Sequence, residues 1–216
     1  AKIGAEYCAD HGGAYTSNGY VMRLETEPEQ EQGAKPVFEL YLLHGQIRYR
    51  LDLPAEEHRL ELAKRSLGIE DFAQAVIYRS HYQMEPLAGL ISKDCINVED
   101  ANELAQTIRE MPDGDFLKYL AVLSAEQPAN FPSALHLALE LDDYEWMQDD
   151  PEEYGRQMLE RIGADEELIN TIDGYMDFAQ FGADTMKEDG VRQTDYGLVR
   201  RLNVPFEDQT PRQQMV

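Results

Sequence analysis

The sequence predicts an α+β fold, because strand-like segments flank a run of helical segments instead of alternating with them. Residues 37–43 and 47–51 are strand-like segments separated by a short turn at residues 44–46, which predicts a β-hairpin. Residues 54–67 carry apolar side chains at helical spacing and predict a helix. Residues 72–78 predict a further strand, and strand-like spacing returns over residues 194–202.

Three helices are predicted in the middle of the chain from their start signals and apolar stripes. Asn97 is placed to cap the first helix, the second follows a turn at residues 112–114, and Pro132 opens the third. Short helices with polar connectors are typical of a small antiparallel bundle. The three stripes are Ala101, Leu104, Ala105 and Ile108; Phe116, Leu120 and Leu123; and Leu135, Ala138, Leu139 and Leu141.

Two more helices are predicted in the C-terminal half. Asp150, Pro151 and Glu153 supply an N-cap, a proline at the first helical position and a glutamate at the third. Gly163 predicts the end of that helix, and Asp177 is placed to cap the next one, which ends near Gly190. The apolar stripes are Tyr154, Met158 and Ile162 in the first helix, and Phe178, Phe181, Thr185 and Met186 in the second.

The composition combines an ordinary core with a very acidic surface. The chain has 216 residues, with 42 Asp and Glu against 19 Lys and Arg, and a net charge of −23. Such a deficit of basic residues argues against direct binding to nucleic acid or to an anionic membrane. Hydrophobic residues make up 43% of the chain, which is enough for a packed core.

Cysteine usage and the absence of long apolar runs indicate a cytoplasmic protein. Cys8 and Cys95 are far apart and too few for a disulfide framework, which indicates a reducing compartment. The best apolar run, over residues 72–78, is far shorter than the roughly 20 residues of a membrane span. No signal-peptide pattern is found.

The negative charge is concentrated towards the C-terminus. Residues 111–216 hold 23 of the acidic residues and 8 basic ones. Within residues 140–189, 17 acidic residues stand against Arg156, Arg161 and Lys187. The acidity is therefore a regional property of the predicted helices at 150–190.

The common catalytic and metal-binding motifs are absent, and we predict no enzyme, no metal and no cofactor. Phosphate-binding glycine loops, EF-hand loops, zinc-protease motifs and nucleophile elbows do not occur. Cys8 and His11 have a metal-like spacing but no second pair, which favours an ordinary loop. His136 lies in an apolar helix and is expected to be a core residue. The adjacent acidic pairs do not single out an acid and a base in different environments.

A short internal repeat links the two ends of the chain. Residues 4–24 align without gaps to residues 182–202, with identity at eight of 21 positions. Both copies contain a Thr-x-x-Gly segment, at Thr16 and at Thr194. We interpret the first copy as the tail of a preceding unit of the same kind. The predicted divisions are 1–25 as this tail, 26–35 as a linker, 36–94 as an N-terminal α+β subdomain, 95–140 as a helical middle, 141–203 as an acidic helical subdomain with a closing strand, and 204–216 as a tail.

The acidic region has two interpretations besides catalysis. The first is a solvated surface that keeps the protein soluble. The second is a surface that binds a basic partner. If residues 140–189 were all helical, their length would be roughly 75 Å, with one carboxylate per ~4.4 Å. That density is near the ~3.4 Å charge spacing of one DNA strand, so the surface is able to occupy a DNA-binding groove.

Five segments of the chain carry a resemblance to a known family: residues 97–105, 141–146, 153–159, 172–183 and 194–200. They resemble the antirestriction protein ArdA family, acidic DNA mimics of mobile elements that inhibit type I restriction–modification enzymes. The resemblance extends over residues 95–202 and weakens over residues 36–94. Residues 1–35 are an addition to the family pattern, as are the basic residues around the N-terminal hairpin. These basic residues are Arg48, Arg50, Arg59, Lys64 and Arg65.

The resemblance implies an elongated, homodimeric α+β protein of three small subdomains, whose carboxylates imitate DNA phosphates. Its partner would be the DNA-binding groove of a type I restriction–modification enzyme, with no direct nucleic-acid binding. An acidic, non-catalytic adaptor for another basic protein is the alternative. The implied mimic residues are Asp142, Asp143, Glu145, Asp149, Asp150, Glu152, Glu153, Asp165, Glu166, Glu167, Asp173 and Asp177.

Overall fold

Two units make up the chain, residues 1–35 and residues 36–216. The computed structural model describes residues 35–92 and 96–206, and the backbone of residues 14–16 and 19–21. The predicted linker, the Cys8 and His11 spacing and the end of the chain from residue 207 lie outside the described residues. The structure contains both helices and antiparallel sheets, so the predicted α+β class is confirmed.

The first unit contains a two-stranded antiparallel hairpin. Strand β1 (Ala14–Thr16) pairs with β2 (Gly19–Val21), and Thr16 lies opposite Gly19. This hairpin lies within residues 4–24, the first copy of the sequence repeat.

The second unit begins with a three-stranded antiparallel sheet in the order β4-β3-β5. Its strands are β3 (Phe38–His44), β4 (Ile47–Leu53) and β5 (Val76–Tyr82). The predicted hairpin is confirmed, with Gly45 in the turn at a φ of 60°. The predicted strand at 72–78 is misplaced, because the Asp71 side chain accepts a hydrogen bond from the Ala73 amide and starts a turn of 3₁₀ helix at Phe72–Gln74.

Helices cover one face of this sheet. The predicted helix at 54–67 is confirmed as α1 (Glu57–Leu67), which ends at Gly68 in the left-handed conformation. The short α2 (Leu87–Leu90) follows β5. The next three helices are α3 (Val98–Glu110), α4 (Asp113–Glu126) and α5 (Phe131–Leu139).

The starts of these helices follow the sequence signals with one exception. Asn97 accepts a hydrogen bond from the Glu99 amide, as predicted for a cap. Asn130 caps α5 just before Pro132. The predicted turn at residues 112–114 is wrong, since helix α4 begins at Asp113 and Pro112 serves as its N-cap residue.

One apolar cluster joins the first sheet to the helices that follow it. Phe38 packs edge-on against Tyr82 and Phe131, with ring centroids 5.0 and 5.4 Å apart. Leu104 and Leu123 belong to the same cluster. Its members come from both sides of the predicted boundary between residues 94 and 95. The subdomain limits proposed from the sequence stay predictions.

The second unit ends in a three-stranded antiparallel sheet, whose strands lie in the order β6-β8-β7. In the sequence, three helices lie between β6 and β7. The chain passes from a 3₁₀ turn at Leu141–Asp143 directly into the first strand. The sequence predicts one closing strand over residues 194–202. The structure instead has a hairpin there, which is part of the three-stranded sheet. The elements are β6 (Tyr144–Met147), α6 (Pro151–Arg161), α7 (Glu166–Ile172), α8 (Phe178–Glu188), β7 (Val191–Thr194) and β8 (Gly197–Arg201).

The hairpin β7–β8 has the same register as the hairpin β1–β2. Thr194 lies opposite Gly197, as Thr16 lies opposite Gly19. The next pair in β7–β8 is Gln193 and Leu198, and the next pair in β1–β2 is Tyr15 and Tyr20. These two pairs are separated in sequence by the same number of residues as Thr16 and Thr194. The sequence repeat therefore marks the same local backbone pairing at both ends of the chain.

Two predicted apolar stripes extend too far. Ile162 is 72% exposed at the end of α6, and Leu139 is 67% exposed at the end of α5. Both lie at helix ends, where the chain turns away before a neighbouring element covers them. Among the described residues, no helix has the length and apolar character needed to cross a membrane.

Candidate functional site

The acidic region is built on three helices and the sheet that carries them. Helix α6 packs directly against α8, and the buried side chains of Tyr154 and Met186 belong to one apolar cluster. Helix α7 buries Ile169. Because the apolar side chains point inward, the acidic side chains of these helices lie on their outer faces.

None of the twelve predicted mimic residues is buried. Glu145 and Asp149 are half-buried, and the other ten side chains are exposed. The placement of the acids on an accessible surface agrees with the sequence-based expectation. In the structure, the twelve residues form three groups that differ in what their carboxylates already bind.

Three of the twelve residues cap helices. The carboxylates of Asp150, Asp165 and Asp177 accept hydrogen bonds from backbone amides at the starts of α6, α7 and α8, at 2.8–2.9 Å. Each carboxylate also lies at the positive end of a helix dipole. These three residues therefore have a structural role in addition to their charge.

Four others bind a neighbouring side chain. Glu145 pairs with Arg200 across the sheet, and Asp149 accepts a hydrogen bond from Gln157 at 3.2 Å. Glu152 and Asp173 share one guanidinium, that of Arg156. Part of the negative charge is thus neutralised inside the protein.

The remaining five carboxylates are exposed and have no ion pair or side-chain hydrogen bond with a described residue. We call them the open carboxylates. They are the part of the predicted site whose full charge is available to a partner. The open carboxylates are Asp142, Asp143, Glu153, Glu166 and Glu167.

Sequence reasoning missed three further acidic residues of the same kind. Glu160, Asp184 and Glu188 are exposed on α6 and α8 and have no ion pair with any residue that the structure describes. Helical spacing would have found them. Glu160 is seven residues after Glu153, and Glu188 is four after Asp184, so each pair shares a helix face.

A turn between α7 and α8 presents an aromatic side chain in the middle of this surface. Tyr175 is 92% exposed. Its backbone amide donates to the Ile172 carbonyl at 2.9 Å, and the Met176 amide donates to the same oxygen at 3.0 Å. A single tyrosine forms no sequence pattern, so its role is not predictable from the sequence.

Arg156 holds this turn in place. Its guanidinium donates to Asp173 at the start of the turn, and it lies 4.2 Å from the ring centroid of Phe178 at the end. The same group donates to Glu152 at 3.0 Å. The hydrogen bonds to Asp173 and Glu152 raise the pKa of Arg156, so it stays charged. Both ends of the turn are therefore fastened to α6.

A partly buried ion pair connects the C-terminal sheet to helix α4. The guanidinium of Arg201 forms two hydrogen bonds to the Glu126 carboxylate, and the Tyr144 hydroxyl donates to it at 2.7 Å. Burial opposes ionisation of Glu126, but the bonds from Arg201 and Tyr144 outweigh it and lower its pKa. Arg192 donates to the Ala125 carbonyl at 2.7 Å on the same helix end. These bonds anchor the sheet under the acidic helices.

The described residues contain little that resembles a catalytic or metal centre. Glu39 is their one buried carboxylate, and it is bound by Arg50, Tyr41 and Gln83. No group of three or more His, Cys, Asp or Glu side chains is placed to hold a metal ion in this part of the chain. His136 is exposed and pairs with Glu140 at 3.0 Å, so its predicted core position is wrong.

Comparison with known proteins gives no family. No protein-family model matches the chain, and no curated protein matches it. The resemblance noted in the sequence therefore stays a hypothesis, and functional inference depends on the acidic surface itself.

Proposed function

We propose that the protein is an antirestriction protein whose acidic C-terminal surface imitates DNA. In this proposal it occupies the DNA-binding groove of a type I restriction–modification enzyme in the cytoplasm and has no catalytic activity of its own. The observation that carries the proposal is the set of open carboxylates, which are exposed and form no ion pair with any basic residue in the described part of the chain.

The electrostatics of these residues suit such a partner. Arg and Lys side chains that bind phosphates in a DNA groove form charge-assisted hydrogen bonds with carboxylates equally well. A chain with a net charge of −23 is also attracted to a basic groove over a distance, which raises the association rate. Both effects weaken as the salt concentration rises.

The way the acids are mounted supports the same proposal. A surface that replaces DNA has to present its charges without folding around the partner, since ordering a flexible segment costs binding free energy. Here helices α6 and α8 pack against each other, and Arg156 fastens the turn that precedes α8. Glu153, on α6, is therefore held in position before binding, and Glu166 and Glu167 lie in the first turn of α7, which Asp165 caps.

The segments that resemble the ArdA family lie on the elements that build this surface. Residues 141–146 form the 3₁₀ turn and β6, residues 153–159 lie in α6, and residues 172–183 run from the end of α7 into α8. A homodimer is part of the proposal, because two copies present twice as many carboxylates to one target.

Inhibition of DNA cleavage tests the proposal. The protein is titrated into a cleavage reaction of a purified type I restriction enzyme, and we expect cleavage to fall as the protein approaches the enzyme concentration. Absence of inhibition at large excess contradicts the proposal. If the protein instead binds a basic protein that does not bind DNA, the adaptor hypothesis replaces it.

A pair of charge-matched variants shows whether the position of the acids matters. One variant replaces the open carboxylates by Asn or Gln, and we expect it to lose most inhibition. The control variant neutralises five exposed acids of the N-terminal half, so both have the same net charge. Equal loss in both variants contradicts mimicry by this surface. The control positions are Glu57, Glu70, Glu85, Glu99 and Glu103.

A further inference from the structure

Tyr175 is the most exposed large apolar side chain among the residues that the structure describes, at 92%. Single exposed apolar side chains are common on protein surfaces, but tyrosine is among the residues enriched at the centres of protein–protein interfaces. A surface that only repeats phosphate charge has no use for such a ring. Imitation of phosphate charge therefore does not account for the exposed ring of Tyr175.

The ring is presented by a fixed turn. Two backbone hydrogen bonds to the Ile172 carbonyl close the turn, and Arg156 holds its first residue, Asp173. The last residue, Asp177, caps helix α8 through the Gln180 amide at 2.9 Å. The ring thus projects from a backbone that is held at both ends.

An acidic residue lies at an equal sequence distance on each side of the ring. Asp173 and Asp177 are both exposed, and each accepts a hydrogen bond inside the protein through one oxygen, Oδ1. The second oxygen of each carboxylate faces no described donor. The order of groups along the chain is an anion, an aromatic ring and an anion. A nucleotide in a DNA strand presents the same order of groups, with its base between two phosphates.

We propose that Tyr175 imitates an extruded nucleobase and enters the base-binding pocket of a DNA methyltransferase. This inference rests on the proposed function and names the part of the target that this turn contacts. Methyltransferases rotate the target base out of the duplex and hold it between aromatic or apolar side chains. A ring that already projects from the surface enters such a pocket without the cost of unstacking and unpairing a base.

The chemistry of the phenol fits that pocket. The flat ring stacks on aromatic side chains as a base does, and the hydroxyl is able to form one hydrogen bond with groups that read the base edge. Asp173 and Asp177 offer their oxygens to the basic residues that bind the flanking phosphates. Nothing in the described structure covers the ring, so no rearrangement precedes insertion.

Competition with DNA for the methyltransferase core of a type I enzyme tests the inference. A labelled duplex bound to the core is displaced by the full chain carrying Tyr175→Ala, Tyr175→Phe or no substitution. We expect Tyr175→Ala to weaken binding between about 5-fold and about 150-fold, the effect of removing one stacked ring. Tyr175→Phe keeps the stacking and should stay within about fivefold of the unsubstituted protein.

Tyr78→Ala is the matched control, because Tyr78 is exposed on the N-terminal sheet, away from the acidic helices in sequence. We expect it to bind like the unsubstituted protein. Circular dichroism should show all three variants folded, since both side chains are largely outside the core. If Tyr175→Ala binds as tightly as the unsubstituted protein, while that protein does inhibit, the inference is wrong and the proposed function stands.

Photo-cross-linking locates the ring in the complex. A benzophenone amino acid placed at position 175 should cross-link to residues that line the base pocket. Cross-links confined to another surface of the methyltransferase overturn the inference even if Tyr175→Ala binds weakly. If the unsubstituted protein neither inhibits nor binds, the proposed function fails first and the inference with it.

Discussion

Gly155 and Gly182 lie against each other where helix α6 crosses helix α8. A Cβ atom added at Gly155 would lie 2.6 Å from the Phe178 carbonyl oxygen and 3.0 Å from the Gly182 amide nitrogen. One added at Gly182 would overlap the Pro151 carbonyl. The two backbones are therefore in direct contact, and this contact holds together the two helices that carry Glu152, Glu153, Glu160, Asp184 and Glu188.

We predict that Gly182→Ala destabilises the protein by about 1–3 kcal/mol, the usual cost of forcing an extra methyl group into a packed site. The helices have to separate because the obstructing atoms belong to the backbone and have no alternative rotamer. Urea unfolding measures the change. Gly114→Ala is the control, since no atom lies within 4 Å of the added methyl, and it should be neutral or slightly stabilising. Equal destabilisation by both substitutions contradicts the prediction.

We predict that Glu126→Gln destabilises the protein by about 1–3 kcal/mol at pH 7, because it removes the charge that binds Arg201. The size of this loss should depend on pH. The pKa of Glu126 is lowered from 4.5 in the folded protein, so its stabilising contribution is fully present above pH 4.5. That contribution is lost as the pH falls through the folded pKa.

The difference in unfolding free energy between the original protein and Glu126→Gln should therefore shrink below pH 4.5. Urea unfolding at pH 7, 4 and 3 measures it. Glu103→Gln serves as the control, because Glu103 is exposed and should change stability by less than about 0.5 kcal/mol at each pH. A difference that stays constant down to pH 3 would show that Glu126 acts by packing alone.

We predict that Tyr154→Phe costs about 1 kcal/mol at neutral pH, since the hydroxyl donates to Asp189 at 2.6 Å. Burial, and then this hydrogen bond, raise the pKa of Tyr154 from 10 to about 12. Its contribution is therefore complete below pH 10 and falls as the pH rises from 10 to about 12. Urea unfolding at pH 7 and pH 11 measures the difference in unfolding free energy between the original protein and Tyr154→Phe, which should be smaller at pH 11. A larger difference at pH 11 contradicts the prediction.

We predict that Gly197→Ala disturbs the C-terminal sheet and its tryptophan. Gly197 has a φ of 115°, and an added Cβ would lie 2.5 Å from the Met147 carbonyl oxygen and 2.9 Å from the Trp146 Nε1 atom. Trp146 is the single tryptophan of the chain and donates to the Tyr196 carbonyl. Its fluorescence should change, with a stability loss of about 1–3 kcal/mol.

Gly45→Ala separates steric contact from backbone strain. Gly45 also has a positive φ, 60°, but no atom lies within 4 Å of an added methyl. Gly45→Ala should lower the free energy of unfolding by about 1–2 kcal/mol, the cost of holding alanine in the left-handed conformation. It should leave the fluorescence of Trp146 unchanged. The two variants together test whether the turn of the hairpin β7–β8 is tight against β6.

Features that depend on residues close in sequence were predictable. Caps at Asn97, Asp150 and Asp177 bind amides only two or three positions ahead, so a short motif contains the whole interaction. The hairpin β3–β4 and the helix that ends at Gly68 also depend on residues close in sequence. The location of the acidic residues needed no structure at all.

Features that depend on distant partners were missed. The segment Tyr144–Met147 is a strand because it pairs with β8, more than 50 residues later, and four residues carry too little pattern to show it. Ile162 continues the apolar stripe of α6, yet no element returns to cover it. His136 sits in an apolar helix but points outward to Glu140.

The candidate site divides in the same way. By itself, the sequence determined that a dense set of carboxylates lies on capped helices near the C-terminus, since charge and capping are local properties. Only the tertiary structure decided which of them are already bound, because Arg200 reaches Glu145, 55 positions away, and Arg156 reaches Asp173, 17 positions away. It also decided that Tyr175 stands exposed among them, because a side chain's exposure depends on whether any other part of the chain packs over it.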